Sequence, residues 1–365
     1  MPTQTPFHEA TAAAGARYEE IGGPSIPADF GDWLGEYRSA CDACAVFDIS
    51  HHGKVRLDGA EADRFLNNLC TNDILNLVNG AGGEAFLTTN QAKTVAYVLV
   101  YKHVPLAGGS TLWLDPGPNM GERVAKHLDR YLISEQVTIA DVTDEFGQVH
   151  IAGPQAHDAL QAALGATLPD LKELGHTKRA TPHTNVFVRK HNRIGVTGYD
   201  VLVPPDQPAL LWRALATAGA RPAGSRGYHS LRLEAGTPEF GADIDETNLP
   251  QEVGRVDQTI SFTKGCYIGQ ETIARIRTYG HVNRSLVGLR LEGEAIEASG
   301  VKLFREGKEV GHITSCAFSP RSASAIALGY VRRGNQEPQT VLEVAESGGR
   351  KATVSLLPFH FDWAR

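Results

Sequence analysis

The chain has 365 residues, of which 42% are hydrophobic and 21% are charged, and its formal net charge is −7. This length predicts two or three domains, and this composition is typical of a globular protein and excludes disordered and fibrous classes. The acidic balance and the absence of a long lysine or arginine run give no indication of a nucleic-acid groove, and no apolar stretch is long enough to span a membrane.

The N-terminus and the cysteines bear on the cellular compartment. Residues 1–14 lack the basic segment and the apolar core of a secretory signal. The chain has five cysteines, an odd number for a disulfide framework. We therefore expect free thiols in a protein of the reducing cytoplasm.

Apolar periodicity divides the first 284 residues into short helices and strands. The predicted helices are 33–45, 60–69, 121–131, 156–164 and 209–218, and residues 228–234 form an amphipathic segment that ends at Gly236. The predicted strands are 55–57, 84–89, 95–100, 111–114, 137–142, 149–152, 185–189, 194–197 and 199–203. Residues 1–30 are rich in glycine, proline and small side chains, and we expect loops there. This order of elements is typical of split βαβ units rather than of a doubly wound sheet.

Two residue pairs in this region superficially suggest metal or redox chemistry. Cys41 and Cys44 form a CxxC on a predicted helix, but no second pair completes a zinc site, and we interpret them as packing residues. His51 and His52 are adjacent, and neighbours on an extended segment point to opposite faces. No dinucleotide-binding glycine motif follows a strand, and no phosphate-binding loop motif occurs. We predict no metal site.

The last eighty residues have a different pattern of short apolar alternations separated by glycine or polar turns. The predicted strands are 286–291, 301–304, 309–314, 325–330, 340–344 and 352–356. Regular short strands of this kind predict a small all-β barrel or sandwich from about residue 285 to the end.

The stretch KGCYIGQE, residues 264–271, places one cysteine between two glycines. A helical pattern follows, so a helix is expected to start near Gly269 with Glu271 in its first turn, where an acid suits the helix dipole. Cys266 would then lie just ahead of a helix N-terminus, two residues after Lys264, and both features favour the thiolate. The alternative is a buried, inert cysteine in a tight turn.

Several segments, taken in order, resemble the T-protein (aminomethyltransferase) superfamily of tetrahydrofolate-binding proteins. Residues 46–54, VFDISHHGK, resemble its "gvFDvSHmGk", and residues 231–236, LRLEAG, are the same in both. Residues 240–246 and 326–331 resemble its "yG.DIdE" motif and its C-terminal barrel. The resemblance implies an α+β fold, with two discontinuous ferredoxin-like lobes and a C-terminal β-barrel around a central channel. It also implies a folate-binding domain over residues 1–284 and a barrel domain over 285–365.

The stretch 264–271 matches the KGC[FY]xGQE signature of one branch, the YgfZ-type folate-binding proteins. Members of that branch are implicated in making or maintaining iron–sulfur clusters. The signature residues are Lys264, Gly265, Cys266, Tyr267, Gly269, Gln270 and Glu271, followed by Arg275. The resemblance implies that Cys266 is a functional thiol assisted by Lys264, and that iron–sulfur proteins are clients.

The resemblance also implies a folate site. Asp200, after Tyr199, matches a family glutamate, and a carboxylate suits a pterin because it accepts both N–H donors of the pyrimidinone edge. Tyr228 replaces a family arginine, for which Arg226 can substitute, and Asn90 either lines the same pocket or serves as a turn residue.

The chain departs from the aminomethyltransferases on one strand. Their "GGiiDDl" carries two aspartates, and the corresponding residues here are Ala96 and Tyr97. Aminomethyl transfer needs a carboxylate to stabilise developing positive charge and to move a proton. This departure argues against glycine cleavage, and the resemblance to the YgfZ-type branch implies a tetrahydrofolate-binding accessory role in iron–sulfur cluster assembly or maintenance. The alternatives are a folate-dependent one-carbon transferase that uses Asp73, Asp243 or Asp245 instead, and a member that binds a protein partner and no folate.

Overall fold

The fold is described by a computed structural model that covers residues 3–103, 109–180, 185–345 and 349–361. The chain divides into two compact units. The first unit comprises Met1–Leu87, Ala96–Tyr228 and Thr259–Tyr267, and the second comprises Thr88–Val95, His229–Gln258 and Ile268–Arg365.

Helices and strands alternate through most of the chain. The helices are α1 His8–Ala13, α2 Trp33–Asp42, α3 Ala62–Leu69, α4 Gly121–Asp129, α5 Ala156–Leu164, α6 Pro208–Thr217, α7 Ser225–Glu234, α8 Val256–Thr259 and α9 Gln270–Tyr279. The strands are β1 Thr3–Gln4, β2 Arg17–Glu20, β3 Pro24–Asp29, β4 Ala45–Asp48, β5 Val55–Gly59, β6 Gly82–Thr88, β7 Thr94–His103, β8 Ser110–Asp115, β9 Thr138–Asp141, β10 Gly147–Ala152, β11 His176–Ala180, β12 Asn185–Lys190, β13 Gly198–Val203, β14 Arg221–Ala223, β15 Arg284–Leu291, β16 Lys302–Arg305, β17 Lys308–Ser319, β18 Ser324–Arg332, β19 Val341–Val344 and β20 Lys351–Ser355.

A six-stranded sheet in the first unit has the strand order β11-β12-β13-β10-β4-β14. Its strands β10 and β13 are buried along their whole length. One face packs on α5 and α6, where Leu160, Val201 and Trp212 belong to one apolar cluster. Because side chains alternate along a strand, Asp200 points to the other face. A charged residue on that second face must find partners if it is covered.

A five-stranded sheet of order β6-β7-β8-β5-β9 covers that second face. Leu99, Tyr101 and Trp113 of this sheet form one cluster with Leu202 of the six-stranded sheet. Both sheets are therefore buried between layers, which explains why β7, β8 and β10 have few exposed positions. The polar side chains between the two sheets are therefore removed from water.

The second unit contains a closed barrel of order β15-β18-β17-β16-β19-β20, and each of its strands pairs antiparallel with its neighbours. Its interior is filled by alternate apolar side chains such as Leu289, Ile313 and Leu342. Each of the six strands predicted beyond residue 284 overlaps one of these strands. The α+β fold class and the barrel are confirmed.

Three expectations about individual elements were wrong. The predicted strand 194–197 is a bend that contains Gly195 at φ 77°, and β12 pairs instead with β11 and β13. Residues 1–30 are not all loop, because β1, β3 and β2 form a small sheet and α1 lies between its first two strands in the sequence. The predicted helix 33–45 ends at Asp42, since Ala45 begins β4.

Among the described residues, no helix is both long and apolar enough to cross a membrane.

Candidate functional site

The signature stretch forms an irregular loop followed by α9. Gly269 caps this helix at φ 84°, and a Cβ atom there would lie 2.8 Å from the carbonyl oxygen of Thr89 and 2.6 Å from the Thr88 hydroxyl oxygen. The Thr88 hydroxyl also donates to the Ile268 carbonyl over 2.8 Å. Gly269, the second glycine of the signature, is therefore required for two reasons. Its positive φ favours glycine, and a side chain there would lie too close to Thr88 and Thr89. The predicted helix start is confirmed, with Glu271 in the first turn.

Lys264 anchors the first part of the loop. Its Nζ donates to the carbonyl oxygens of Asn67, Cys70 and Asn72 over 2.5, 2.9 and 2.6 Å. It also lies 4.9 Å from the centre of the Tyr267 ring. An ammonium group has three donors, and all three are used by the end of α3 and the turn after it. This gives Lys264 a positioning role for the loop.

Cys266 differs from the other cysteines in its exposure. Cys266 is exposed, Cys41 is partly buried, and Cys44, Cys70 and Cys316 are buried. Burial raises the pKa of Cys44 to about 12 and that of Cys70 to about 11, so these two thiols are poor nucleophiles at neutral pH. The packing interpretation of Cys44 agrees with its burial.

The strand that departs from the aminomethyltransferase pattern retains a carboxylate nearby. Ala96 is fully buried, while the hydroxyl of Tyr97 donates to Glu84 Oε2 on β6 over 2.7 Å. The Glu84 carbonyl accepts from Asn72 Nδ2 over 2.8 Å. Asn72 thus contacts both Glu84 and the signature lysine. The sequence did not identify Glu84, although an acidic residue inside an apolar strand was a usable signal.

The three aspartates considered as replacement carboxylates are engaged locally. Asp243 is buried between Arg232, at 2.8 Å, and the Thr314 hydroxyl, at 2.6 Å, and these partners keep its pKa low despite burial. Asp73 accepts from Asn76, and Asp245 accepts from Thr247. These contacts give the three carboxylates structural roles in turns and in the buried ion pair.

Asp200 lies inside a charged network between the two sheets. His150 Nδ1 is 2.7 Å from its Oδ1, and Arg193 Nη2 is 2.8 Å from its Oδ2. The same Arg193 nitrogen is 2.6 Å from Asp115 Oδ2, and Asp115 Oδ1 is 3.4 Å from His52 Nδ1. Burial opposes ionisation of both aspartates, but Arg193 and the histidines hold their pKa values below the usual range. Asp200 is thus a buried carboxylate on a central strand and not a surface aspartate.

A row of polar side chains crosses the inner face of the six-stranded sheet at Asp200. Arg189 on β12 and His150 on β10 are its two cross-strand neighbours. The Arg189 guanidinium stacks 4.3 Å from the centre of the Tyr101 ring. Among the described residues, the buried atoms of this region without a hydrogen-bond partner include His150 Nε2, Gln148 Oε1, Tyr101 Oη and Arg189 Nη1. Orphaned buried groups are rare and point to a missing polar ligand or water.

The other predicted folate residues lie in different surroundings. Tyr228 packs edge-on against Phe47 and His150, which brings it to the Asp200 network. Tyr199 points to the opposite face and bonds His157 over 2.9 Å. Arg226 is mostly exposed and pairs with Asp29 over 3.3 Å. Asn90 is exposed in the turn between β6 and β7, within the second unit.

Several members of the network were missed at the sequence level. Asp115, His150, Arg189 and Arg193 come from four separate segments, and no short motif joins them. The available signal was the presence of charged or polar residues in strands that are otherwise continuously apolar. Among the described residues, no group of three or more His, Cys, Asp or Glu side chains is placed to hold a metal ion.

Known proteins resemble this chain over nearly its whole length. Residues 7–264 match the GCVT N-terminal domain, and residues 284–360 match the glycine cleavage T-protein C-terminal barrel domain. An aminomethyltransferase of Rubrobacter xylanophilus is 31% identical over 90% of this chain and 87% of its own length. An aminomethyltransferase of Rippkaea orientalis is 30% identical over 98% of this chain and 97% of its own length.

The structural comparison agrees with the sequence comparisons. A crystal structure of the glycine cleavage system aminomethyltransferase T from Bartonella henselae superposes with a TM-score of 0.89, covering 99% of this chain and 100% of that one. Its sequence identity of 21% limits that likeness to the fold. From the two domain matches and the curated relatives, this chain belongs to the glycine cleavage T-protein family.

Proposed function

We propose that this protein binds tetrahydrofolate and acts on a one-carbon unit, as an enzyme of the transferase class named by its aminomethyltransferase relatives. The observation that carries the proposal is the polar row Arg189–Asp200–His150 on a covered sheet face, with unpaired donors and acceptors beside it. The folate, when bound, supplies the carrier of the one-carbon unit. The residues of this chain bind and orient it.

The chemistry of the polar row fits a pterin. Asp200 is an ionised acceptor for the paired N–H donors of the pyrimidinone edge. Arg189 Nη1 is an unpaired donor for a carbonyl or ring nitrogen, and Gln148 Oε1 is an unpaired acceptor. Apolar cover from Tyr101 and Tyr228 strengthens each of these hydrogen bonds by excluding water.

One-carbon transfer also needs a carboxylate near the reacting nitrogen. Position 96 carries alanine, so we assign this role to Glu84, whose Oε2 accepts from the Tyr97 hydroxyl. That hydrogen bond fixes the orientation of the carboxylate. The loop anchored by Lys264 contacts the same region through Asn72.

Titration calorimetry with tetrahydrofolate tests the proposal. We expect saturable binding by the wild type and at least about tenfold weaker binding by Asp200→Asn, because a charge-assisted hydrogen bond contributes roughly 1.5–3 kcal/mol. Asp206→Ala, which removes an exposed aspartate six residues away, is the matched control and should bind as the wild type does. No binding by the folded wild type at millimolar folate would contradict the proposal.

A second candidate function is the accessory role in iron–sulfur metabolism implied by the YgfZ-type signature. The exposed thiol of Cys266, on a loop held by Lys264, favours it. A single thiol cannot hold a cluster that normally takes four ligands, so Cys266 would act as a transient ligand, in a mixed disulfide or as an adduct.

Complementation distinguishes this second candidate. In cells deficient in the corresponding factor, we expect Cys266→Ala to fail to restore the activity of an iron–sulfur enzyme. Cys41→Ala, at a partly buried cysteine, should restore it as the wild type does. Equal rescue by both variants would remove the role given to the Cys266 thiol, and formation of methylene-tetrahydrofolate from an aminomethyl donor would support the transferase function instead.

A further inference from the structure

Arg193 comes from the bend between β12 and β13 and reaches into the space between the two sheets. Its neighbours Asn192 and Gly195 are exposed, so the bend lies at the surface. The Arg193 side chain retains 9% exposure, whereas the side chains of Asp115 and Asp200 have none and His52 has 1%. Of these network members, Arg193 is therefore the one that lies between the buried carboxylates and solvent.

Each carboxylate oxygen of Asp200 already has a close partner. Its Oδ1 accepts from His150 and its Oδ2 accepts from Arg193. A guanidinium group and the 2-amino-pyrimidinone edge of a pterin bind a carboxylate in the same way, because both are planar and present N–H donors to it. A pterin at Asp200 would meet the same oxygen that Arg193 holds.

We propose that Arg193 occupies the ligand position at Asp200, so that folate binds there only when its pterin replaces the guanidinium. This inference rests on the proposed folate site and adds the residue that sets its affinity. Moving Arg193 away from two carboxylates costs free energy, and this cost weakens the observed binding of folate. Only the fraction of molecules in which the guanidinium has left Asp200 can bind the ligand.

The arrangement beside Asp200 supports an exchange of this kind. Among the described residues, His150 Nε2, Gln148 Oε1 and Arg189 Nη1 have no hydrogen-bond partner. A bicyclic heterocycle carries more donors and acceptors than a guanidinium and can pair with such atoms. The exchange moves a side chain that retains 9% exposure, whereas its neighbour Ile194 is buried.

The test removes the guanidinium without leaving an unbalanced charge. In the double variant D115N/R193M, one buried positive and one buried negative group are lost together, and Asp200 keeps His150. We expect tetrahydrofolate to bind this variant at least about tenfold more tightly than it binds the wild type, measured by titration calorimetry. The single variant D115N keeps Arg193 on Asp200 but removes one of its two carboxylates, so its affinity should lie between those of the wild type and the double variant.

Adding D200N to the double variant shows where the ligand binds, and we expect it to abolish the gain. Circular dichroism and thermal melting confirm that each variant is folded. Equal affinity of the wild type and the double variant would overturn the inference about Arg193 and leave the folate site standing. Binding by neither would overturn the proposed folate site as well, so the two failures are distinguishable.

Discussion

Replacing Arg193 with methionine will lower the free energy of unfolding by about 3–5 kcal/mol, the usual cost of removing one partner from a buried ion pair. The guanidinium lies 2.6 Å from Asp115 and 2.8 Å from Asp200, and both carboxylates are fully buried. Without it, two negative charges remain between the sheets, and their remaining hydrogen-bond partners include His52, the Gly117 N–H and His150. Urea denaturation followed by circular dichroism measures the loss.

The matched control for this prediction is the same charge-balanced double variant, D115N/R193M. It retains a hydrogen-bonding amide at position 115 for His52 and the Gly117 N–H. We expect it to recover more than half of the lost stability, because the penalty arises from uncompensated charge rather than from lost packing. If R193M alone lies within about 1 kcal/mol of the wild type, the guanidinium does not compensate the two aspartates.

Acidification from pH 7 to pH 4 will destabilise the second unit through His229. Burial and the adjacent Arg232 lower the pKa of His229 to about 4, and Arg232 Nε donates to its Nδ1 over 3.2 Å. In the unfolded chain a histidine has a pKa of about 6.5. Because the folded pKa is the lower one, the unfolded state binds more protons in this range. The stabilisation is complete above about pH 6.5 and is lost as the pH falls toward 4, by on the order of 2 kcal/mol.

The variant His229→Asn isolates this contribution. Its amide oxygen can accept from Arg232 as the imidazole nitrogen does, but it does not take up a proton. We therefore expect a shallower loss of the urea midpoint between pH 6.5 and 4 than in the wild type. His360→Asn changes an exposed histidine and should keep the wild-type pH dependence. Identical slopes for His229→Asn and the wild type would assign the acid sensitivity to other groups.

Local sequence information predicted most regular elements and an all-β barrel or sandwich at the C-terminal end, and the family resemblance implied the barrel. The strands beyond residue 284 alternate apolar and polar residues, and each predicted strand overlaps an observed one. The helix after Gly269 was also predictable, because a glycine ahead of the helix and an acid in its first turn are visible in the local sequence. The small N-terminal sheet was not, because β1 and β3 pair across residues rich in proline and glycine. The domain boundary near residue 284 stays a prediction.

The candidate site was predictable only in part. The family resemblance pointed to Asp200 and to Lys264. For Asp200, the alternative was a carboxylate at the protein surface. For Lys264, the sequence suggested an electrostatic effect on the Cys266 thiol. The structure buries Asp200 and directs the Lys264 ammonium to three carbonyls near the end of α3. Which partner a charge finds depends on the face that its strand presents and on the layer that covers it.

The sequence by itself determined the mixture of helices and strands, the all-β character of the C-terminal part and the place of the signature loop, because periodicity, glycine positions and helix-start signals act over a few residues. The tertiary structure alone decided the electrostatics of the site. Asp115 and Arg193 are 78 residues apart in the chain, and Lys264 is 197 residues from Asn67, yet each pair is in hydrogen-bond contact. Burial makes such contacts obligatory, since a charge removed from water must be paired, and only the packing of the two sheets brings the partners together.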